Sequence, residues 1–217
     1  MTSTLTTDAP ASSAAPGLAE HVRASSREQH SSTEQRPFIA QLMGGERSMA
    51  DYTRYLGQFA WVYESLERLL SRCAGCPIFD SRLDRLAAIE SDLAALGVID
   101  WRTEHPALPA TQAYARHLDA LESDDVPRIL AHHYTRYLGD LSGGQAIARL
   151  VARHYGATPE QLSFYRFDGI DDIVHYKRAY RAGMNQLGFG AEATETLVAE
   201  VDLAFRFNGG IFDELAA

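Results

Sequence analysis

Residues 126–155, which read VPRILAHHYTRYLGDLSGGQAIARLVARHY, carry the most informative pattern in the chain. At both ends of this stretch, apolar residues return every three or four positions, which is the period of an amphipathic helix. The middle contains Gly139, Gly143 and Gly144, and each glycine inside a helix costs about 0.8 to 1 kcal/mol relative to alanine. Considered alone, the glycines favour a helix that ends in a capped turn at Gly139 or Gly143.

The spacing of these glycines favours a continuous helix instead. Gly139 and Gly143 are four residues apart, as are Asp140 and Gly144, so in a helix the four residues line adjacent rows of one face. Such a face is bare backbone beside one carboxylate, and a broad, flat molecule can approach it closely. A glycine pair also allows a helix to kink. We therefore predict one kinked helix here.

Helical periodicity continues along most of the chain. Apolar residues recur at intervals of three and four from Tyr52 to Leu70 and from Leu83 to Leu96, where Gly97 is suited to cap the helix. Thr158 to Gln161 (TPEQ) has the cap residue, proline and glutamine of a helix start. Further helices are predicted over residues 18–35, 112–121, 170–187 and 191–212. Since no segment shows sustained alternation bounded by hairpin turns, we predict an all-α bundle of about eight helices.

The composition predicts one domain preceded by a tail. The 217 residues suffice for a sizeable core, and no proline- or glycine-rich linker interrupts them. Residues 1–17 are mainly Ser, Thr, Ala and Pro without apolar periodicity, which predicts a disordered tail before a domain over residues 18–217. Cys73 and Cys76 form a CxxC pair, but they lack both a second pair and a thioredoxin-like context, so we expect two reduced thiols.

Charge and hydropathy limit the partners. The formal net charge of -9 disfavours binding to a phosphate backbone, so we expect no nucleic-acid partner. No stretch approaches the roughly 20 apolar residues of a membrane span, and the first residues do not resemble a secretory signal. The sequence therefore predicts a cytoplasmic protein without a membrane anchor.

The segment HHYTRYLGDLSGGQAIAR resembles the signature of the haem oxygenases. Shorter similarities follow in the family's order between Leu18 and Leu215, namely EQHSSTE, YESLE, FYRFDGI, KRAYR and AFRFN. The resemblance implies that haem is sandwiched between a proximal helix near the N-terminus and a glycine-kinked distal helix. It also implies an enzyme that uses dioxygen and external electrons to cleave haem to biliverdin, carbon monoxide and ferrous iron.

The resemblance assigns the proximal iron ligand to His30. Glu34 lies one helical turn further on, where a carboxylate can orient the imidazole and strengthen it as a donor. The family often has His-x-x-Ala-Glu, whereas this chain has Thr33 before Glu34. By the same resemblance, the residues that bind the propionate side of haem are Arg23, Tyr134, Lys177 and Arg181.

The resemblance also implies roles on the distal side. Gly139 and Gly143 keep the open face of the haem uncluttered, Gly144 belongs to the haem-binding residues, and Asp140 orders a water that delivers protons. The residues that extend this hydrogen-bonded network are Tyr63, Arg136 and Asn208. Phe205 and Phe207 are expected near the haem edge, and His132 and His133 are expected to be structural.

Two other classes of function compete with this interpretation. A haem carrier or sensor would retain His30 and the cationic residues on the propionate side, but it would not need Asp140 beside bare glycines. A di-iron oxygenase or a thiamine-degrading hydrolase would need a carboxylate and histidine cluster or a cysteine nucleophile, and no such cluster occurs at helical spacing. For an oxygenase, we expect a monomer that receives electrons from a ferredoxin or a flavoprotein reductase and opens the α-meso carbon.

Overall fold

A computed structural model describes residues 17–73 and 76–217. Within these ranges the chain forms no β-strand, and the all-α prediction is confirmed. The α-helices are α1 (Leu18–Ser25), α2 (Arg27–Glu34), α3 (Pro37–Gly44), α4 (Met49–Arg72), α5 (Leu86–Ala95), α6 (Trp101–Glu104), α7 (Pro109–Ala120), α8 (Val126–His133), α9 (Gly139–Tyr155), α10 (Ile173–Gln186) and α11 (Ala191–Ala216). The predicted tail lies outside the described residues apart from Gly17.

The glycine-rich stretch is continuous helix. A π-helical turn at Tyr134–Leu138 joins α8 to α9, and the backbone leaves the helical region only at Gly156, with φ of 71°. A π turn changes the direction of a helix and often lies at a functional site. The prediction that the helix runs through Gly139 and Gly143 is therefore confirmed.

The predicted first helix is wrong in one respect, because two helices occupy residues 18–35. Ser26 separates α1 from α2 with φ of -97° and ψ of 4°. Its hydroxyl donates a hydrogen bond to the carbonyl oxygen of Val22 at 2.8 Å. A serine that binds the preceding turn in this way competes with the helical backbone and bends it.

Other boundaries also differ from the prediction. Residues 83–85 do not belong to α5, because Glu67 accepts hydrogen bonds from the backbone N–H groups of Arg85 and Leu86 and starts the helix there. The TPEQ segment forms a capping box but only a single 3-10 turn, Pro159–Gln161. Gly97 has φ of 88°, as expected of a residue that ends a helix.

Two long helices, α4 and α11, organise the core. The Ser48 and Asp51 side chains form a capping box that starts α4, which is buried along most of its length. Helices α5, α7 and α11 pack against α4, while α11 also contacts α2, α3 and α8. Among the described residues, no helix combines the length and apolar character needed to cross a membrane.

Candidate functional site

A cavity of about 660 Å³ brings together residues from distant parts of the chain. Helices α1 and α2 line it together with the start of α9, the π turn, α10 and α11. Among the lining residues are Arg23, His30, Tyr134, Gly139, Arg181 and Phe205. The volume lies within the roughly 300 to 1,000 Å³ of typical small-molecule sites.

His30 is exposed to this cavity and held on one side. Its Nδ1 lies 3.4 Å from Glu34 Oε2, and 54% of the side chain is accessible. The ring also makes an edge contact with Phe205, with 5.8 Å between the centroids. An imidazole that donates Nδ1–H to a carboxylate has a lone pair on Nε2, which is the form that binds a metal ion.

Thr33 does not disturb this arrangement. Its hydroxyl donates a hydrogen bond to the Gln29 carbonyl oxygen at 2.8 Å, so the polar atom is satisfied within α2. The departure from His-x-x-Ala-Glu therefore leaves the relation of His30 to Glu34 intact.

Cationic and polar groups surround one part of the cavity. Arg23, Tyr134 and Arg181 line it directly, while Lys177 Nζ donates to the hydroxyl of Ser142, a lining residue, at 3.3 Å. Sequence reasoning missed Arg27 and Ser142, which also line the cavity. Arg27 lies four residues after Arg23, a spacing that could have indicated it.

The three glycines do not share one environment. A Cβ atom built on Gly139 or Gly143 would meet no other atom within 4 Å, apart from neighbouring helix backbone. On Gly144 it would lie 3.1 Å from Tyr165 Cδ1. The expectation that Gly144 belongs to the same open face is therefore corrected: each residue turns the helix by about 100°, which directs Gly144 toward the core.

Asp140 lies at one end of a buried hydrogen-bonded network. The Tyr63 hydroxyl donates to Asp140 Oδ2, and Arg136 Nη2 lies 3.5 Å from Asp140 Oδ1. The Arg136 guanidinium donates to the Tyr63 hydroxyl through Nε at 3.2 Å and Nη2 at 3.1 Å. Its Nη1 donates to Asn208 Oδ1 at 2.8 Å. The four polar residues named from the sequence for this side are thus brought into contact.

Burial shifts the protonation of Asp140 within this network. It raises the pKa of the Asp140 carboxyl above its ordinary value, although Arg136 and the hydrogen bond from Tyr63 act in the opposite direction. Arg136 also lies over the ring of Phe59, with its Cζ 4.4 Å from the centroid. A carboxyl group with a raised pKa keeps its proton to a higher pH than an ordinary aspartate does, which suits a group that donates protons.

Other aromatic and sulfur-containing residues lie away from the cavity lining. Phe207, expected near the haem edge together with Phe205, stacks on Tyr114 with 4.8 Å between centroids and does not line this cavity, whereas Phe205 does. Residues two positions apart in a helix face different directions. Cys73 and Cys76 are free, and burial raises the pKa of both thiols.

Comparison with known proteins gives a consistent result. The sequence model of the family described as "Heme oxygenase" matches residues 16–214. Heme oxygenase 1 of Gallus gallus is 32% identical over 205 residues, which cover 91% of this chain and 69% of that protein. Heme oxygenase 1 of Synechocystis is 31% identical over 202 residues, covering 91% and 84%.

Solved structures show the same similarity. The crystal structure of heme oxygenase-1 from Synechocystis in complex with heme superposes with a TM-score of 0.87 at 30% identity, covering 92% of each chain. Heme oxygenase from Leptospira interrogans also gives a TM-score of 0.87, at 32% identity, covering 92% of this chain and all of that one.

Proposed function

The chain belongs to the haem oxygenase family, and we propose that its substrate haem binds in the 660 Å³ cavity with His30 as the protein ligand of the iron. Members of this family are enzymes that cleave haem oxidatively to biliverdin, carbon monoxide and ferrous iron. The observation that carries the proposal is that one cavity is lined by both an accessible imidazole and the bare backbone of Gly139.

The shape of α9 suits a flat substrate. The open space where a Cβ of Gly139 or Gly143 would lie allows a planar ring to approach the helix backbone. The His30 imidazole, oriented by Glu34, provides a nitrogen ligand to the iron. Phe205 contributes an apolar contact beside that imidazole.

The polar rim suits the two propionates. Arg23, Arg181 and Lys177 provide cations, and Tyr134 provides a hydroxyl group. Charge-assisted hydrogen bonds from these groups fix the rotation of the haem within its plane. That rotation determines which edge of the ring faces the reactive side of the cavity.

Asp140 serves in proton delivery. When bound, haem supplies both the ring that is cleaved and the iron on which dioxygen is activated. The Asp140 carboxyl passes a proton through an ordered water, while Arg136, Tyr63 and Asn208 hold that carboxyl in position. Gly139, which has no Cβ atom, leaves open space beside it, so a water molecule and dioxygen have room.

The electrons come from outside the chain, because side chains do not store the electrons that the cleavage consumes. A ferredoxin or a flavoprotein reductase supplies them in this proposal, and the enzyme acts as a monomer. Ascorbate can replace either donor in an assay.

The proposal is tested by comparing His30→Ala with His21→Ala, a matched change of an accessible histidine on α1. Wild type and His21→Ala should show the absorption spectrum of histidine-ligated haem and form biliverdin with ascorbate in air. His30→Ala should fold, lose that spectrum and form no biliverdin, and added imidazole should restore part of the ligation. Wild-type spectra and rates in His30→Ala would assign the iron to another residue.

A further inference from the structure

Helices α7, α8 and α11 bring a second histidine and carboxylate group together outside the haem cavity. The group consists of His117, His132 and Glu200, whose nitrogen and oxygen atoms all lie within 4.8 Å of one another. None of the three lines the cavity of His30. Helical spacing could not indicate this cluster, because each residue comes from a different helix.

The two imidazoles converge on one oxygen atom. His132 Nε2 lies 2.9 Å from Glu200 Oε1, and His117 Nε2 is hydrogen-bonded to the same Oε1. In the absence of a cation, each Nε2 must carry a proton to donate to that oxygen. A cation among the three atoms would instead receive a lone pair from each nitrogen and from the oxygen.

The surroundings hold the His132 ring in the required orientation. The Tyr114 hydroxyl lies 3.1 Å from His132 Nδ1, opposite the Nε2 that faces Glu200. A histidine that binds a metal ion usually has such a partner on its other ring nitrogen. Phe207 stacks on Tyr114 and lies 5.2 Å from the His117 ring, so aromatic contacts limit the movement of both.

Charge and exposure define the kind of site. The Arg128 guanidinium lies 3.6 Å from Glu200 Oε2, which leaves Oε1 as the single oxygen donor. The His132 side chain is fully buried, whereas that of His117 is 26% exposed. A cation can therefore enter beside His117, and water can complete its coordination there.

We propose that His117, His132 and Glu200 bind one divalent transition-metal cation, with zinc as the best match. Two imidazoles and one carboxylate suit zinc and its neighbours in the first transition row, whereas magnesium and calcium prefer oxygen ligands. The cation would link α7, α8 and α11 outside the haem cavity. It would stabilise the fold without taking part in haem ligation.

The experiment is equilibrium dialysis of haem-loaded protein against micromolar free zinc, followed by elemental analysis. Haem is added first because His30 and Glu34 could otherwise bind zinc. Wild type and His175→Ala, which removes an exposed histidine on α10, should bind one zinc per chain. His117→Ala and Glu200→Gln should bind it at least about tenfold more weakly. Zinc should also raise the melting temperature of wild type more than that of His117→Ala.

Two results would overturn the metal site. One is the absence of zinc binding by wild type at micromolar concentration, and the other is equal affinity in wild type and His117→Ala. Because the His117 ring is partly exposed, His117→Ala should fold even if Glu200→Gln does not. Haem cleavage is measured in the same samples, so failure of the zinc site and failure of the haem proposal give different results.

Discussion

Asp140 lies in an environment unlike that of an ordinary surface aspartate. Its side chain is 11% exposed, and its two oxygens face Tyr63 and Arg136. Burial raises its pKa, while the Arg136 cation keeps the ionised form accessible. A group balanced in this way can give and recover a proton, which suits a reaction in which dioxygen, once reduced by the external electrons, must be protonated without free access of acid.

The first prediction concerns Asp140→Ala. Haem affinity should remain near that of wild type, because His30 and the rim are unchanged. Biliverdin formation should fall by about 10² to 10⁴, the usual contribution of a positioned proton donor. Peroxidase activity with added hydrogen peroxide should rise, since oxygen is then lost as water instead of reaching the ring. Asp140→Asn should be milder, as an amide can still hold part of the water structure.

Absorbance assays of biliverdin and of a peroxidase dye measure both effects in the same preparation. Haem titration of each variant is the control for binding. Normal biliverdin formation in Asp140→Ala would contradict the role of this carboxyl in proton delivery.

At the scale of single elements, α9 combines two kinds of glycine. Gly139 and Gly143 have open space beside them, whereas Gly144 lies against Tyr165. Gly139 and Gly143 weaken the helix without improving its packing, so their advantage must come from a molecule that approaches the helix there. Gly144 is required by the packing of the core against Tyr165.

The second prediction uses this difference. Gly139→Ala should raise the free energy of unfolding of haem-free protein by about 0.8 to 1 kcal/mol, the helix propensity of alanine over glycine. It should also slow haem cleavage, because the methyl group enters the cavity. Gly144→Ala should gain less stability or lose some, because Tyr165 must shift. Urea unfolding and turnover assays check both, and equal stability changes in the two variants would contradict the assignment.

The third prediction concerns α10, on which Lys177 and Arg181 are one turn apart. A charge-assisted bond to a propionate contributes about 1.5 to 3 kcal/mol, enough to favour one haem orientation tenfold or more. Arg181→Glu should therefore weaken haem binding and give a mixture of biliverdin isomers. Chromatography separates the isomers, with Arg178→Glu, an exposed arginine on the same helix, as the control. A single unchanged isomer in good yield would place the propionates elsewhere.

At the scale of the whole molecule, stability depends on buried groups that the cavity does not use. The His133 ring stacks on Tyr180, and its Nδ1 lies 2.7 Å from the Tyr180 hydroxyl. Burial lowers the pKa of His133 to about 3. In the unfolded chain the imidazole takes up a proton near pH 6.5, so acid favours unfolding between about pH 6.5 and 3.

The fourth prediction follows from this loss of stability in acid. As the pH falls from 7 to 5, wild type should lose up to about 1.4 kcal/mol per pH unit more of its free energy of unfolding than His133→Asn. Asparagine keeps an acceptor for the Tyr180 hydroxyl and does not titrate. Urea unfolding at several pH values gives both slopes. Parallel pH dependence of the two proteins would show that His133 does not contribute.

The sequence predicted features that depend on local spacing better than features that depend on contacts between distant residues. The periodicity of residues 126–155 predicted the continuous distal helix, because it depends only on local spacing. The break at Ser26 depends on a hydroxyl that binds its own helix, and serine spacing does not show which carbonyl it chooses. The resemblance indicated Tyr63 and Asn208, whereas spacing could not have paired residues so far apart in the chain. Gly144 was misplaced because the spacing does not show which side of the helix the core covers, and Tyr165 packs on the side where Gly144 lies.

We claim that this chain cleaves the haem it binds. In a single-turnover measurement, haem-loaded wild-type protein is mixed with ascorbate in air, and haem, biliverdin and carbon monoxide are all quantified. We predict that the loss of haem is matched by equal amounts of biliverdin and carbon monoxide. Haem that stays bound and intact, with neither product formed, would contradict the claim and identify a carrier or sensor.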